Sequence, residues 1–377
     1  MPSKSNKPNR RKTILLIHKV LGLVTGVVLF IVSITGCLWV FKDEIDNLNN
    51  DYTFVETQKK DFISTSDAKA IAEKAIPNKT IHGVVYGKPN EAIEIVFYQT
   101  DPQLFYQSLF LNPYSGKVLK IIDHNAGFFS FILKGHVRLW LPEAIGSRIV
   151  SYSILLFFIL IISGLILWIP RNCKNSKQRL TFDWNSRTRW KRKNFDLHTV
   201  IGFYMSSLGL IFAFTGCIMA FNWFYFIAYK ATGGNKNPRF VFPKNIAMNK
   251  TKERPTFNQL IPKLRKTYPK TNSFEFHFPE SDTTSILIEA NNSVGLHYDM
   301  DYLFFDQNTL QQIETTSIYG KYKNASFADK VIRMNYDIHI GAIGGIVGKI
   351  IAFIASLICA SLPVSGVLLW YGRKYKK

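Results

Sequence analysis

Four histidines stand at matched places in the two halves of this sequence. His18-Lys-Val-Leu-Gly22 precedes Thr35-Gly36-Cys37, and His198-Thr-Val-Ile-Gly202 precedes Thr215-Gly216-Cys217, with 17 residues from His to Thr in both. His136 lies 27 residues before Ser163-Gly-Leu-Ile-Leu-Trp168, and His339 lies 26 before Ser365-Gly-Val-Leu-Leu-Trp370. A neutral imidazole is a metal ligand through one ring nitrogen. Two imidazoles on facing helices can hold a haem iron from both sides, and helical bundles commonly build cofactor sites in this way. His18 and His198 fall in the first turns of two apolar segments, and His136 and His339 at or just before the ends of two others, a depth at which ionisable side chains are costly and usually functional.

The apolar segments are Ile14–Phe41, Ile145–Ile169, Phe195–Tyr229 and Gly341–Tyr371. A helix needs roughly 20 apolar residues to cross a bilayer, so each predicts one spanning helix, the third continuing along the membrane surface. The first is too long, and lacks the small-residue cleavage site, for a removable leader. The net charge of +21 is concentrated: residues 1–13, 171–194 and 371–377 hold 18 of the 47 Lys and Arg against one acid, Asp183. These stretches share one side of a four-crossing chain, and basic loops stay in the cytoplasm. The charge therefore encodes topology, with no need of nucleic acid. None of the four cysteines lies in a long loop, so no disulfide framework is expected, and Cys37 and Cys217 read as small-residue packing.

This topology predicts a basic tail (1–13), a first span (14–41), a periplasmic domain (42–127), an interfacial helix with the second span (128–169) and a basic cytoplasmic loop (170–194). A third span (195–229), a second periplasmic domain (230–338), a fourth span (339–371) and a short tail (372–377) follow. The expected class is an all-α four-helix membrane bundle with two periplasmic α+β domains, as a parallel two-fold repeat. Home is the bacterial plasma membrane, with both ends cytoplasmic. His18 and His198 then lie near the inner face, and His136 and His339 near the outer face.

A porphyrin needs room, which Gly22 and Gly202 offer four residues after His18 and His198. Taken alone, Gly22-x3-Gly26 reads first as a plain helix-packing motif. Propionates need cations: Arg138, Arg148 and Arg333 flank the outer pair, and Arg11, Arg192 and Lys193 the inner one, where positive-inside placement already accounts for them. Zinc is the weaker alternative, because it would want four ligands at one point. His82, His124, His277 and His297 read as surface residues, with His124 a substitute ligand for the outer pair. There is no phosphate-binding glycine loop, no CxxC and no nucleophile with a placed base, so no catalytic side chain is assigned.

Both long loops read as α then β. Ser66 caps a helix to Ile76, closed by Pro77, before strands at Ala92–Tyr98, Phe105–Leu111 and Lys117–Ile122. Thr256 caps a helix to Tyr268, before strands near Phe274–Phe278, Ser285–Ala290 and Tyr302–Phe305.

The chain resembles the PepSY-associated transmembrane helix family. The resemblance rests on His18-x3-Gly22, Gly135-His136, Ser163-Gly-Leu-Ile-Leu-Trp168-Ile-Pro-Arg171, Asp196-Leu-His198 and Ser365-Gly-Val-Leu-Leu-Trp370, with Asn112-Pro-Tyr-Ser-Gly-Lys-Val-Leu119 like the end of a PepSY domain. It covers essentially the whole chain, the second loop less well. It implies PepSY-like outer domains and a role in bacterial iron uptake, some members being similar to di-haem reductases of ferric siderophores. The expectation is a haem-dependent membrane oxidoreductase with two b-type haems, passing electrons to a periplasmic ferric siderophore or ferric chelate. No flavin or nicotinamide motif is legible, so the donor is a separate cytoplasmic reductase or membrane quinol. The rival readings are a membrane-anchored binding or regulatory protein and an iron or chelate permease.

Overall fold

The computed structural model describes residues 10–48, 50–101, 104–170, 179–245, 257–279 and 281–374. Thr256, Cys173 and much of the basic tails and loop lie outside the described residues. Two compact units form: Met1–Lys42 with Phe131–Tyr225 and Ile338–Lys377, and Asp43–Ser130 with Phe226–Asp337. The first half runs α1 (Arg10–Trp39), α2 (Lys42–Asn47), α3 (Thr65–Ala75), β1 (Ile81–Tyr86), β2 (Ile93–Gln99), β3 (Phe105–Leu111), β4 (Val118–Asp123), α4 (Gly127–Arg138) and α5 (Glu143–Trp168). The second runs α6 (Trp190–Asp196), α7 (Gly202–Ala220), α8 (Asn222–Ala231), α9 (Leu260–Thr267), β5 (Ser273–His277), β6 (Ile286–Asn291), β7 (Asp301–Phe305), β8 (Gln312–Ile313), α10 (Phe327–Arg333), α11 (Asn335–His339) and α12 (Gly345–Lys374).

Four helical stretches are long and apolar enough to cross a membrane: Arg10–Asn47, Glu143–Trp168, Trp190–Ala220 and Ala342–Gly372. α1 packs on α5 and α12, and α7 packs on the same two helices, which closes a ring with α1 and α7 on one diagonal. The third apolar run is broken: Phe221 is extended, and α8 starts as a separate helix. The last carbonyls of α5 accept from the guanidinium groups of Arg11 and Arg179. These cations meet orphan acceptors at the negative end of the helix dipole.

The second unit holds one eight-stranded antiparallel sheet in the order β4-β3-β2-β1-β5-β6-β7-β8. The loops, expected as two domains, are the two halves of this sheet. Each contributes a helix and a four-strand meander, and β1 pairs with β5 at the centre. Neither meander is left with that edge open, which removes a site for unwanted strand addition. Alternation puts Ile93, Ile95 and Phe97 of β2, and Phe274 and Phe276 of β5, into a core closed by Ala68 and Ala72 of α3 and Leu260 and Leu264 of α9. Asn258 Oδ1 accepts from Thr65 N–H at 2.9 Å and Thr65 Oγ1 at 2.7 Å, tying the two helical ends together.

The cap of α3 is Ser64, whose side chain accepts from Asp67 N–H, rather than Ser66, because the Ser-x-x-Asp spacing begins two residues earlier. The expected strands appear within a residue of their places, β3 at the bounds read from the sequence. β1 was not expected: a bulge between Ile81 and Gly83 puts His82 and Gly83 on one face and breaks the alternation.

Candidate paired-histidine sites

His18 sits on α1, and His198 in a π-helical turn, Leu197–Ile201, between α6 and α7. Their rings come together across the bundle diagonal with centroids 6.4 Å apart. His136 on α4 and His339 on α11 form a second pair, also at 6.4 Å. All four predicted ligands are thus brought together in the two expected pairs. His18 lies 17 residues from Thr35 on the unbroken α1, and Thr35 touches His136. At 1.5 Å per residue the two pairs are therefore separated by about 25 Å along the bundle.

Local structure presents each ring. Trp184 Nε1 and Arg192 Nε both donate to the buried Asp196 carboxylate, two residues before His198. Asn194 Nδ2 donates to the Ser365 carbonyl at 3.1 Å, tying α6, which leads into the π turn, to α12. After His136 the chain reverses through Leu139 and Trp140, both at positive φ, 54° and 58°. The Trp140 ring covers Gly135, where a Cβ would stand 2.4 Å from its Cζ2, and Nε1 donates to Phe131 O at 2.8 Å. A strained turn persists only where its surroundings over-determine it. After His339 the matching reversal uses Gly341, at φ 76°, where a Cβ would collide with the Gly348 carbonyl at 2.4 Å.

Each imidazole is gripped at Nδ1 by a helix of its own half. His18 Nδ1 meets Ser163 Oγ at 2.9 Å, His198 meets Ser365 Oγ at 2.8 Å, and His339 meets Thr215 Oγ1 at 2.7 Å. His136 Nδ1 meets the Val32 carbonyl at 2.9 Å and Thr35 Oγ1 at 3.3 Å. Ser163, Ser365 and Thr215 each also lie within hydrogen-bond distance of a carbonyl of their own helix, at Leu160, Leu362 and Ile211. A hydroxyl that gives its proton to that carbonyl accepts from the histidine Nδ1. The Val32 carbonyl can only accept, so His136 Nδ1 donates to it. Nδ1 contacts of this kind leave the Nε2 lone pair for a metal, the arrangement that such partners impose on ligating histidines.

The residue after each hydroxyl is glycine, and it makes room for the ring. A Cβ on Gly164 would stand 3.1 Å from His18 Cε1, one on Gly36 3.2 Å from His136 Cε1, one on Gly366 3.4 Å from His198 Cε1 and one on Gly216 3.7 Å from His339 Cε1. Sequence reasoning missed this role, although the repeated Thr-Gly and Ser-Gly pairs were its signal. Gly22 and Gly202 face Leu160 Cδ1 and Leu362 Cδ2, each at 3.8 Å from a built Cβ. Two rings 6.4 Å apart fit one shared metal ion, since imidazole–metal bonds of about 2 Å on each side put ring centres roughly 6 Å apart.

Of the expected propionate partners, Arg138 is half-buried with its Nη1 3.7 Å from Glu143 Oε2, and Arg148 is exposed. Arg333 lies in the sheet unit, buried, donating to the Gly320 and Met300 carbonyls and stacked against Tyr302 and Tyr322. Its guanidinium is committed there because burial demands that its donors be satisfied. His124 Nε2 is bound to Ser108 Oγ at 2.7 Å within the sheet unit. His297 pairs with Asp337 at 3.1 Å, and the His277 side chain, expected at the surface, is only 11% exposed.

The model of the PepSY-associated TM region matches residues 15–373. The chain belongs to that family. No curated protein matches it. As a PepSY-associated protein with four spanning helices, it is a multi-pass membrane protein, and the histidine pairs lie within the matched region.

Proposed function

We propose that this PepSY-associated protein carries electrons across the bacterial plasma membrane to a periplasmic ferric siderophore or other ferric chelate. The observation that carries this reading is the set of four Nδ1 anchors on two histidine pairs whose ring centroids lie 6.4 Å apart. His18 with His198 would hold one b-type haem, and His136 with His339 the other. Haem so bound supplies reversible one-electron chemistry at each end of the bundle.

The chain's own residues do the rest. Ser163, Ser365, Thr215 and Val32 orient the imidazoles and raise their basicity as ligands. The apolar helices exclude water, and Phe212 packs 5.9 Å from the His339 ring on the bundle interior. Both ends of the chain are cytoplasmic in this reading. A separate cytoplasmic reductase or membrane quinol supplies one electron, and the external ferric ion takes it up. The resulting ferrous ion is a poorer match for the hard oxygen donors of the chelate, so the chelate loosens.

The test is a visible spectrum and haem assay of the protein purified from membranes. A Soret band, dithionite-reducible α-bands and two haems per chain are expected. His198→Ala and His339→Ala should each remove one haem and keep the other. In proteoliposomes, His339→Ala should retain a reducible haem and lose reduction of external chelate. A folded, colourless protein would overturn the proposal.

A further inference from the structure

The sheet face opposite α3 and α9 carries titratable groups near the junction of its two halves. His82, from β1, and Glu275 and His277, from β5, each offer a ligand atom, all within 4.8 Å of one another. Glu289 on β6 is the cross-strand partner of Glu275. The bulge in β1 turns His82 toward this face, and Gly83, partnered with His277, leaves the space that the Glu275 carboxylate fills. A Cβ at position 83 would stand 2.8 Å from Glu275 Oε1.

His277 Nε2 is the informative atom. It is buried and makes no hydrogen bond to any described residue. Its nearest partners are the carboxylates, in ion-pair contacts with Glu289 Oε1 at 3.4 Å and Glu275 Oε1 at 3.8 Å. Buried polar atoms are normally satisfied. Two carboxylates and two imidazoles are thus gathered on one face of three neighbouring strands. The His82 and His277 rings meet edge to face at 4.8 Å, and His82 is exposed, so solutes reach the cluster.

We propose that His82, Glu275 and His277 bind a divalent first-row transition-metal ion, with Glu289 adding negative charge beside it. Imidazole with carboxylate suits zinc or ferrous iron, whereas magnesium and calcium prefer all-oxygen sets. Bonds of about 2.0–2.2 Å need ligand atoms within roughly 4.3 Å of one another, so small side-chain rotations complete the set. The ligands sit on paired strands, a rigid frame for a metal site. The inference rests on the sheet unit alone and is independent of haem binding.

The test uses the full chain in detergent, stripped with chelator and titrated with Zn²⁺ by calorimetry. One saturable equivalent is expected at the cluster, together with a rise in unfolding temperature. His82→Ala and His277→Ala should each weaken that binding by at least about tenfold. His82→Gln, at an exposed position, should do the same with the metal-free unfolding temperature unchanged, which separates loss of a ligand from loss of fold. Excess Mg²⁺ should leave Zn²⁺ bound, and zinc-edge absorption should show nitrogen and oxygen ligands. Absence of saturable binding, affinity unchanged in both alanine variants, displacement by Mg²⁺ or sulfur coordination would each overturn the proposal.

Discussion

Thr215 Oγ1 lies 2.7 Å from His339 Nδ1 and 2.7 Å from the Ile211 carbonyl, to which it can give its own proton while accepting from the imidazole. Thr35 stands in the corresponding place beside His136 at 3.3 Å, but there the Val32 carbonyl accepts from the same Nδ1 at 2.9 Å. One anchor is a hydroxyl, and the other is mainly backbone.

That asymmetry makes the two threonines unequal. In the two-haem reading proposed above, Thr215→Val removes the hydroxyl that anchors His339 and should weaken retention of the proposed outer haem by about 10–100-fold. Thr35→Val leaves the Val32 carbonyl in place and should cost much less. Ser163→Ala and Ser365→Ala should loosen the inner haem as Thr215→Val loosens the outer one, while Ser163→Thr preserves it. Haem content after dilution, with the electron paramagnetic resonance of the ferric protein, measures all five. Equal losses in the two threonine variants would refute the asymmetry.

The glycines predict site-selective damage. Gly164→Val pushes branched carbon into the space 3.1 Å from His18 Cε1, and Gly36→Val does so 3.2 Å from His136 Cε1. If two haems bind as proposed, each should halve the haem content, the first at the inner site and the second at the outer. The remaining α-band identifies which site survives.

Stability should depend on pH through Asp329. Burial pushes its carboxyl upward, but hydrogen bonds from Lys236, the Ser326 backbone and Tyr229 outweigh this and hold it below its ordinary 3.8. A depressed folded value means the stabilisation is present above the ordinary carboxylate range and is lost as pH falls through the folded value. Asp329→Asn should cost about 1–3 kcal/mol at neutral pH. The difference from the unsubstituted protein should shrink in acid. Thermal unfolding from pH 7 downward checks the sign.

Topology is testable without any cofactor. Reporter fusions after Asn125 and Tyr268 should be active only for periplasmic reporters, and those after Lys177 and Lys377 only for cytoplasmic ones. One contrary result among the four would undo the assignment of the histidine pairs to opposite faces.

Much of the bundle was legible along the chain because its signals are local. Twenty apolar residues declare a span whatever they pack against. The spacing of His18, His136, His198 and His339 paired the four histidines before any contact was known. The grips on those rings were not legible. Ser163 is 145 residues from His18, and Thr215 is 124 from His339, so their contacts depend on how helices pack rather than on any period in one helix. The same holds for the sheet. Alternation revealed most strands, but β1 hid behind a bulge, and only its pairing with β5 turns the two loops into one sheet. His277 read as a surface residue because a sequence carries no record of the neighbours across a strand. Folding puts Glu275, Glu289 and His82 around it, and that decides its chemistry.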